Sequence, residues 1–117
     1  MQYILLIYES ETESKARNPE ESQRIHGEYM AFTASIRESG QLRAGEPLES
    51  ATTATTVRVK AGKTVRTDGP FAETREQLGG FYIVEAKDLD EAVGMAARIP
   101  TAKHGSVEVR PIRMMTR

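Results

Sequence analysis

Cysteine is absent from the 117 residues of the chain. Without it the chain cannot contain a disulfide framework, a thiolate nucleophile or a metal site with cysteine ligands. A protein without disulfides suits a reducing compartment, and we therefore predict a cytoplasmic location.

Long apolar runs are missing as well. The first run, Tyr3 to Tyr8, has no basic flank and is shorter than the roughly 7 to 15 apolar residues of a signal-peptide core. No other segment approaches the roughly 20 apolar residues that a membrane span requires. The sequence accordingly predicts no membrane partner.

Neither sign of charge is in excess. Sixteen Lys and Arg residues face 17 Asp and Glu residues, which leaves a net charge of −1. Such a chain has no surplus positive field with which to neutralise a phosphate backbone, so we predict no nucleic-acid partner. The sequence also has no glycine-rich phosphate loop, no Gly-x-Ser-x-Gly motif and no regular spacing of histidines or carboxylates, and it predicts neither a cofactor nor a metal.

The residues that are present predict one globular domain over residues 1–117, with 38% hydrophobic and 28% charged residues. Alternation and β-branched content predict strands, and apolar periodicity with capping residues predicts helices. The predicted strands are 2–8, 42–47, 55–60, 63–67, 80–85 and 106–113, and the predicted helices run from 19 to about 39 and from 89 to just before Pro100.

The helix signals are local and specific. Asn18 and Pro19 suit the cap and the first position of the first helix, and Gly40 suits its end. Asp88 and Glu91 form a capping-box pattern for the second helix. Each helix is expected to bury one stripe. The stripes are Ile25, Tyr29, Phe32 and Ile36 in the first helix, and Leu89, Ala92, Val93 and Ala96 in the second.

The order of elements favours an α+β, ferredoxin-like βαββαβ fold with an inserted hairpin around Ala61-Gly62. Two helices cover only one face of such a sheet, whereas the strands at 3–8 and 81–84 are apolar on both faces. The uncovered face therefore requires a partner surface, and we predict a homodimer whose antiparallel sheets face each other around a small-molecule pocket. The alternative is a monomer in which residues 42–78 fold over that face.

The segment from Asp68 to Gly80 is the most specific in the chain. Asp68, Gly69, Pro70 and Phe71 reproduce an Asp-Gly-Pro-Phe motif, which continues as Ala-Glu-Thr-Arg-Glu-Gln-Leu-Gly-Gly. With residues 81–92 and 105–111, this segment resembles the YCII-related family, in particular the subgroup named for that motif. The resemblance covers essentially the whole chain. It implies a ferredoxin-like subunit in a dimer of the dimeric α/β barrel type.

The resemblance also implies an active-site pair, because a histidine on the first helix and an acidic residue are the suspected active-site pair of that family. His26 is the matching histidine, and it lies about 100° around the helix from the buried Ile25. An imidazole titrates near neutral pH, so a carboxylate beside it suits acid–base chemistry. Asp68 is the carboxylate that we favour. The alternatives are a turn residue at Asp68 and a solvated residue at His26.

The binding residues proposed from the sequence are Gly69, Pro70, Phe71, Glu73, Gly79 and Gly80. The glycines suit positive φ angles, a bulge or the close approach of a ligand to the main chain. Glu73, with Glu76, would line a pocket entrance if residues 73–78 formed a helical turn, although a solvated loop is favoured. His104 is expected on the surface.

Three functions remain open from the sequence. The first is a small dimeric acid–base enzyme, isomerase-like or lyase-like, that acts on a small polar organic molecule, by analogy with ferredoxin-like enzymes of ring-derived lactones and phenols. The second is a non-catalytic small-molecule-binding or regulatory module, because proteins similar to this subgroup are encoded beside extracytoplasmic-function sigma factors. The third is a purely structural dimer.

Overall fold

The computed structural model describes residues 1–115. The strands of this part are β1 Gln2–Glu9, β2 Leu42–Pro47, β3 Thr55–Lys60, β4 Lys63–Asp68, β5 Gln77–Glu85 and β6 Ser106–Pro111. The helices are α1 Glu11–Lys15, α2 Pro19–Glu38 and α3 Leu89–Ala97, with 3-10 turns at Ala51–Thr53 and Pro100–Lys103. Each predicted strand and helix is present. The short helix α1, which the side chain of Ser10 caps, was not predicted.

Four strands form an antiparallel sheet in the order β2-β5-β1-β6. The two most apolar strands, β1 and β5, lie at its centre and bury more side chains than the edge strands do. The last strand lies at the edge, as Pro111 predicted, because proline cannot donate to a neighbouring strand. The molecule is thus a mixed α+β protein with antiparallel sheets, and this arrangement agrees with a ferredoxin-like fold.

The ends of α2 follow from its flanking residues. Oδ1 of Asn18 accepts a hydrogen bond of 2.8 Å from the backbone N–H of Glu21, which satisfies a donor that the first turn leaves free. At the other end Gly40 has a φ of 77°, and the N–H of Gln41 returns to the carbonyl of Ile36 at 2.9 Å. The predicted start and stop of this helix are both confirmed.

The capping of α3 is confirmed with one difference. Oδ1 of Asp88 accepts from the N–H of Glu91 at 2.9 Å, but the Glu91 carboxylate accepts from Lys87 rather than from Asp88. The predicted stripe is only half right, because Leu89 and Val93 are 51% and 49% exposed. The helix instead turns the longer side chain at position 95 toward the sheet. Its buried residues are Ala92, Met95 and Ala96.

Glu11 ties its own segment to two others at one end of the sheet. Oε1 of Glu11 accepts from the hydroxyl of Ser50 at 2.7 Å, and Oε2 accepts from the N–H of Ala51 at 2.8 Å. The N–H of Glu11 donates to the side chain of Gln77 at 2.9 Å. The bonds from Ala51 first, and then from Ser50, lower the pKa of the Glu11 carboxyl below its usual value.

The two faces of the sheet differ in cover. Side chains of β1 alternate, so that Tyr3, Leu5 and Ile7 are buried under the helices. The alternate positions Ile4 and Leu6 lie on the other face and are only half-buried. This second face, which we call the open face, also carries Phe81 and Ile83 from β5, opposite Leu6 and Ile4.

The strands β3 and β4 form a separate two-stranded sheet. Their turn places Ala61 and Gly62 at φ values of 48° and 77°, the left-handed geometry of a tight hairpin. Every residue of β4 is exposed, and so is every residue of β3 except Thr56. The hairpin therefore does not fold over the open face as the monomeric alternative required.

Among the helices of residues 1–115, none is both long enough and apolar enough to span a membrane.

Candidate functional site

A cavity of about 530 Å³ opens between α2 and the β2–β5 side of the sheet. It lies within one chain and on the helix side, where Ile7 and Tyr82 point. That position differs from the expected one between the sheets of two copies. Its lining residues are Ile7, Glu9, His26, Tyr29, Met30, Thr33, Arg37, Gly45, Glu46, Pro47, Gly79, Gly80, Phe81, Tyr82 and Thr101.

The helical wall of the cavity is a single stripe of α2. His26, Met30, Thr33 and Arg37 follow one another at spacings of four, three and four residues, so they lie on one side of the helix. Each is one residue after a member of the buried stripe, and this offset places them at its margin. The sequence therefore located His26 correctly on the helix, and the structure adds that this margin faces a cavity.

The sheet wall is open because glycines occupy it. The register of β1 against β5 shifts between Ile7 and Tyr8, which face Gly80 and Leu78, so Gly79 is an extra, bulged residue. A Cβ at Gly79 would meet nothing closer than a backbone oxygen at 4.0 Å. The bulge that the sequence offered as one role for this glycine pair is confirmed.

Gly45 on β2 is required for close packing instead. A Cβ there would lie 2.6 Å from Cδ1 of Tyr82, closer than real Cβ atoms come to their neighbours. The ring of Tyr82 is fixed in turn, because it packs edge-on against Phe32 with the ring centroids 5.2 Å apart. The width of this end of the cavity therefore depends on the absence of a side chain at position 45.

Two pairs of hydroxyl groups line the cavity. The phenol of Tyr29 lies 2.5 Å from Oγ1 of Thr101, and Oγ1 of Thr33 lies 2.6 Å from the phenol of Tyr82. Each pair uses one of its two protons internally, so the other proton and several lone pairs can still reach a ligand. Thr101 is only 2% exposed, and this burial strengthens hydrogen bonds made there.

Charged groups stand at the ends of the cavity. Glu9 forms a half-buried ion pair with Arg17, whose Nη2 lies 2.8 Å from Oε2 of Glu9. Burial raises the pKa of the Tyr29 phenol, and the nearby Glu9 charge raises it further, so this phenol stays protonated at neutral pH. Glu46 and Arg37, of opposite sign, are exposed at the rim. A neutral, oxygen-bearing ligand suits these surroundings.

The residues proposed from the sequence divide into two groups. His26, Gly79 and Gly80 line the cavity together. The other group lies outside the cavity lining, at the end of β4 and in the loop that follows it. It consists of Asp68, Gly69, Pro70, Phe71 and Glu73. No hydrogen bond within residues 1–115 joins Asp68 to His26, because Asp68 ends a hairpin strand that leaves the body of the sheet. Within one chain the expected pair is therefore not formed.

The Asp-Gly-Pro-Phe turn has a local structure of its own. Gly69 has a φ of 102°, and its N–H donates to the carbonyl of Ala54 at 2.7 Å, which closes the base of the hairpin. The positive φ expected of Gly69 is thus confirmed. Phe71 is 77% exposed and lies under the guanidinium of Arg58 at 5.5 Å. The motif shapes this turn, while its aromatic ring remains exposed.

The remaining polar residues named from the sequence lie outside the main cavity. Residues 73–76 form no helical turn, and Glu73 is exposed in the loop before β5. Glu76 accepts a hydrogen bond of 2.8 Å from the hydroxyl of Ser106. His104 is exposed, as expected, and borders a polar cleft of about 200 Å³ that shares Glu9 with the main cavity.

Sequence reasoning missed several polar groups of the cavity. Glu9 ends a strand that was read only as apolar, and Tyr29 was counted as a core residue. Thr33 carried a usable signal, since it lies seven residues after His26 on the same side of the helix. Thr101 and Tyr82 carried none, because their approach to α2 depends on long-range packing.

Comparisons with known proteins agree with this fold. The family model of the YCII-related domain matches residues 1–116. An uncharacterized protein of Rhizobium meliloti (strain 1021) is 40% identical over 116 residues, which cover 97% of this chain and 94% of that protein. The 5-chloro-2-hydroxyhydroquinone dehydrochlorinase TftG of Burkholderia phenoliruptrix AC1100, solved with 2,5-dihydroxybenzoquinone, is similar in structure. Its TM-score is 0.57 at 15% identity, over 97% of this chain and 94% of that one.

Proposed function

The chain belongs to the YCII-related family, and from that premise we propose that it is a small dimeric acid–base enzyme of an isomerase-like or lyase-like kind. Its substrate in this proposal is a small polar organic molecule that enters the cavity beside α2. The dimer is supported by the open face, where apolar side chains remain only half-buried by the rest of residues 1–115.

One observation carries the proposal: His26 shares a ligand-sized cavity with carboxylates and hydroxyl groups. A volume of about 530 Å³ falls in the range of small-molecule pockets, which are mostly apolar with a few polar groups. His26 is exposed at the margin of α2, so a ligand and solvent can both reach its ring. This combination is what proton transfer to a bound molecule requires.

The roles follow from the positions of the groups. His26 is the proton acceptor. Tyr29, which burial keeps protonated, donates a hydrogen bond to a developing oxyanion. Glu9 is a carboxylate of the cavity that Arg17 holds in place, and its fixed negative charge lies near Tyr29. Asp68 remains in the proposal as a residue that would act from the second copy.

The structural neighbour supports the choice of substrate. TftG is named as a dehydrochlorinase of 5-chloro-2-hydroxyhydroquinone and was solved with a dihydroxybenzoquinone. The paired hydroxyls of the present cavity suit the same chemistry, a small ring with oxygen substituents. We therefore propose oxygenated rings, such as dihydroxybenzenes and lactones, as the first compounds to screen.

The test uses the two histidines of the chain. Compounds that raise the unfolding temperature are tested for turnover with the parent, with His26→Ala and with the matched control His104→Ala, which alters a histidine outside the cavity. We expect His26→Ala to lose roughly 10²- to 10⁴-fold in turnover, as is usual for loss of a general base. His104→Ala should react like the parent. Equal turnover by folded His26→Ala would remove the catalytic assignment.

A second candidate is a non-catalytic binding or regulatory module. Within residues 1–115 no hydrogen bond or ion pair joins His26 to a carboxylate. A pocket that only binds a ligand does not need such a pair. The resemblance to a subgroup linked to extracytoplasmic-function sigma factors points the same way. Tight binding of a ligand that is recovered unchanged, with equal affinity in His26→Ala, would favour this function over catalysis.

A further inference from the structure

The hairpin of residues 55–68, which we call the arm, stands apart from the body of the protein. In the part of the chain that the structure describes, its strands pair only with each other, and the base is closed by a bond of 2.9 Å from the hydroxyl of Thr56 to the carbonyl of Gly69. An isolated two-stranded hairpin is marginal in water, because its strands bury little surface. The arm therefore requires a surface outside its own chain for full stability.

The arm presents apolar side chains to solvent. Val57 and Val59 lie on one face of β3 and are 57% and 69% exposed, although valine is typical of packed strand positions. Phe71, just beyond the arm, is also exposed. The two valines form an apolar strip on one face of the arm, while Phe71 contacts Arg58 on the other side of β3. Exposed apolar side chains on a projecting hairpin are typical of interaction surfaces.

The charge of the arm identifies the kind of partner. Four cations and the carboxylate of Asp68 give residues 55–68 a net charge of +3, and since the whole chain carries −1, the rest carries −4. A basic arm and an acidic body attract each other between two copies of the same chain. The four cations are Arg58, Lys60, Lys63 and Arg66.

The exposed area agrees with a second copy as the occupant. The chain exposes 8538 Å², whereas a compact monomer of its mass exposes about 6,300 Å². The surplus of roughly 2,000 Å² exceeds the roughly 800 Å² that each partner buries in a stable interface. The radius of gyration of 16.3 Å also exceeds the roughly 13 Å of a compact domain of this length.

We propose that the arm docks on the body of a second copy, beside the open face, and that two such contacts clasp a symmetric dimer. The valine strip packs on the partner together with Arg66, which pairs with Val57 and lies on the same side of the arm. The net positive charge of the arm as a whole is attracted to the acidic body of the partner. Asp68 shares the strip's side of the arm, since it pairs with Thr55 two residues before Val57, so docking also carries this carboxylate to the partner. The inference rests on the dimer of the proposed function.

The test compares two substitutions of the same type. Val57→Lys with Val59→Lys places charges on the arm, and Val93→Lys places one on α3, where a valine is similarly half-exposed but lies on the helix side. Sedimentation equilibrium gives the dimer dissociation constant of each. We expect the arm variant to dimerise about 100-fold more weakly and Val93→Lys to match the parent. Hydrogen exchange should show amides of β3 and β4 protected only at concentrations that favour the dimer.

The outcomes separate the two proposals. A dimeric parent whose arm variant dimerises equally well, with β3 and β4 amides that exchange freely, overturns the arm contact and leaves the dimer standing. A parent that stays monomeric at high concentration overturns both. If the monomeric parent binds a DNA duplex through the arm, the basic charge serves nucleic acid and the inference is also wrong. Circular dichroism of each variant confirms that it is folded.

Discussion

Substitution of Gly45 by alanine is the sharpest test of how the cavity is built. The added methyl group would stand 2.6 Å from Cδ1 and 3.1 Å from Cε1 of Tyr82, well inside van der Waals contact. The tyrosine ring has little room to move, because it packs on Phe32 and its hydroxyl is bonded to Thr33 at 2.6 Å. We therefore expect the ring to shift and this hydrogen bond to weaken.

The magnitude follows from overpacking. Forcing one extra carbon into a packed site costs about 1–3 kcal/mol of unfolding free energy. Alanine also restricts the unfolded chain more than glycine does, which offsets about 0.5–1 kcal/mol of this cost. The net loss of unfolding free energy for Gly45→Ala is therefore about 1–2 kcal/mol. For a domain of this size that loss corresponds to a fall of roughly 4–10 °C in the unfolding temperature.

The matched control is Gly79→Ala, because a Cβ at that bulge meets nothing closer than 4.0 Å. We expect this variant to be as stable as the parent or slightly more stable. Urea unfolding followed by circular dichroism measures both. If Gly45→Ala were as stable as Gly79→Ala, the cavity wall would not depend on the contact between Gly45 and Tyr82, and the description of this site would be wrong.

Three further predictions concern the polar groups. Glu11→Gln should lose about 1 kcal/mol at pH 7, since a charge-assisted bond is worth more than a neutral one and exposure reduces the gain. Because folding lowers the pKa of Glu11, the stability difference between the parent and Glu11→Gln should be fully present above the usual pKa of 4.5 and should vanish as the pH falls below the lowered pKa. A stability difference that persists at about pH 3 in urea titrations would contradict this expectation. Thr33→Val should cost about 1 kcal/mol by removing the hydrogen bond to the Tyr82 hydroxyl, while Thr33→Ser, which keeps a hydroxyl, should lose less in the same assay, and equal losses would refute the hydrogen bond. Arg17→Met should lower the unfolding temperature more at low than at high salt by removing the ion pair of Glu9, and a salt-independent loss would assign the effect to packing.

Local signals in the sequence were sufficient for the elements of the fold. Capping residues such as Asn18 and Asp88 act within one turn, so their pattern fixes where a helix begins without knowledge of the rest of the chain. The hairpin turn at Ala61-Gly62 is local in the same way. The stripe of α3 was half wrong, because the choice between Met95 and Val93 as the buried residue depends on the position of the sheet beneath the helix.

The site was less predictable because it depends on contacts between distant segments. His26 was identified from family resemblance and from its place beside the buried stripe, and the structure puts it in a cavity. Its expected partner Asp68 is prominent in the motif, yet within one chain the hairpin carries it outside the cavity lining. Glu9 lies at the end of a strand with no motif around it, and the fold brings its carboxylate into that cavity.

The cavity is formed by two segments, neither of which indicates a pocket when its sequence is considered alone. The margin of α2, with His26 and Thr33, reads as the usual transition from a buried to a solvated face. Gly79 and Gly80 read as turn residues before a strand. The β-bulge at Gly79 leaves the sheet without side chains at the level of that margin, and a space of about 530 Å³ lies between them. The pocket therefore depends on the pairing of a polar helix margin with a glycine-lined strand end.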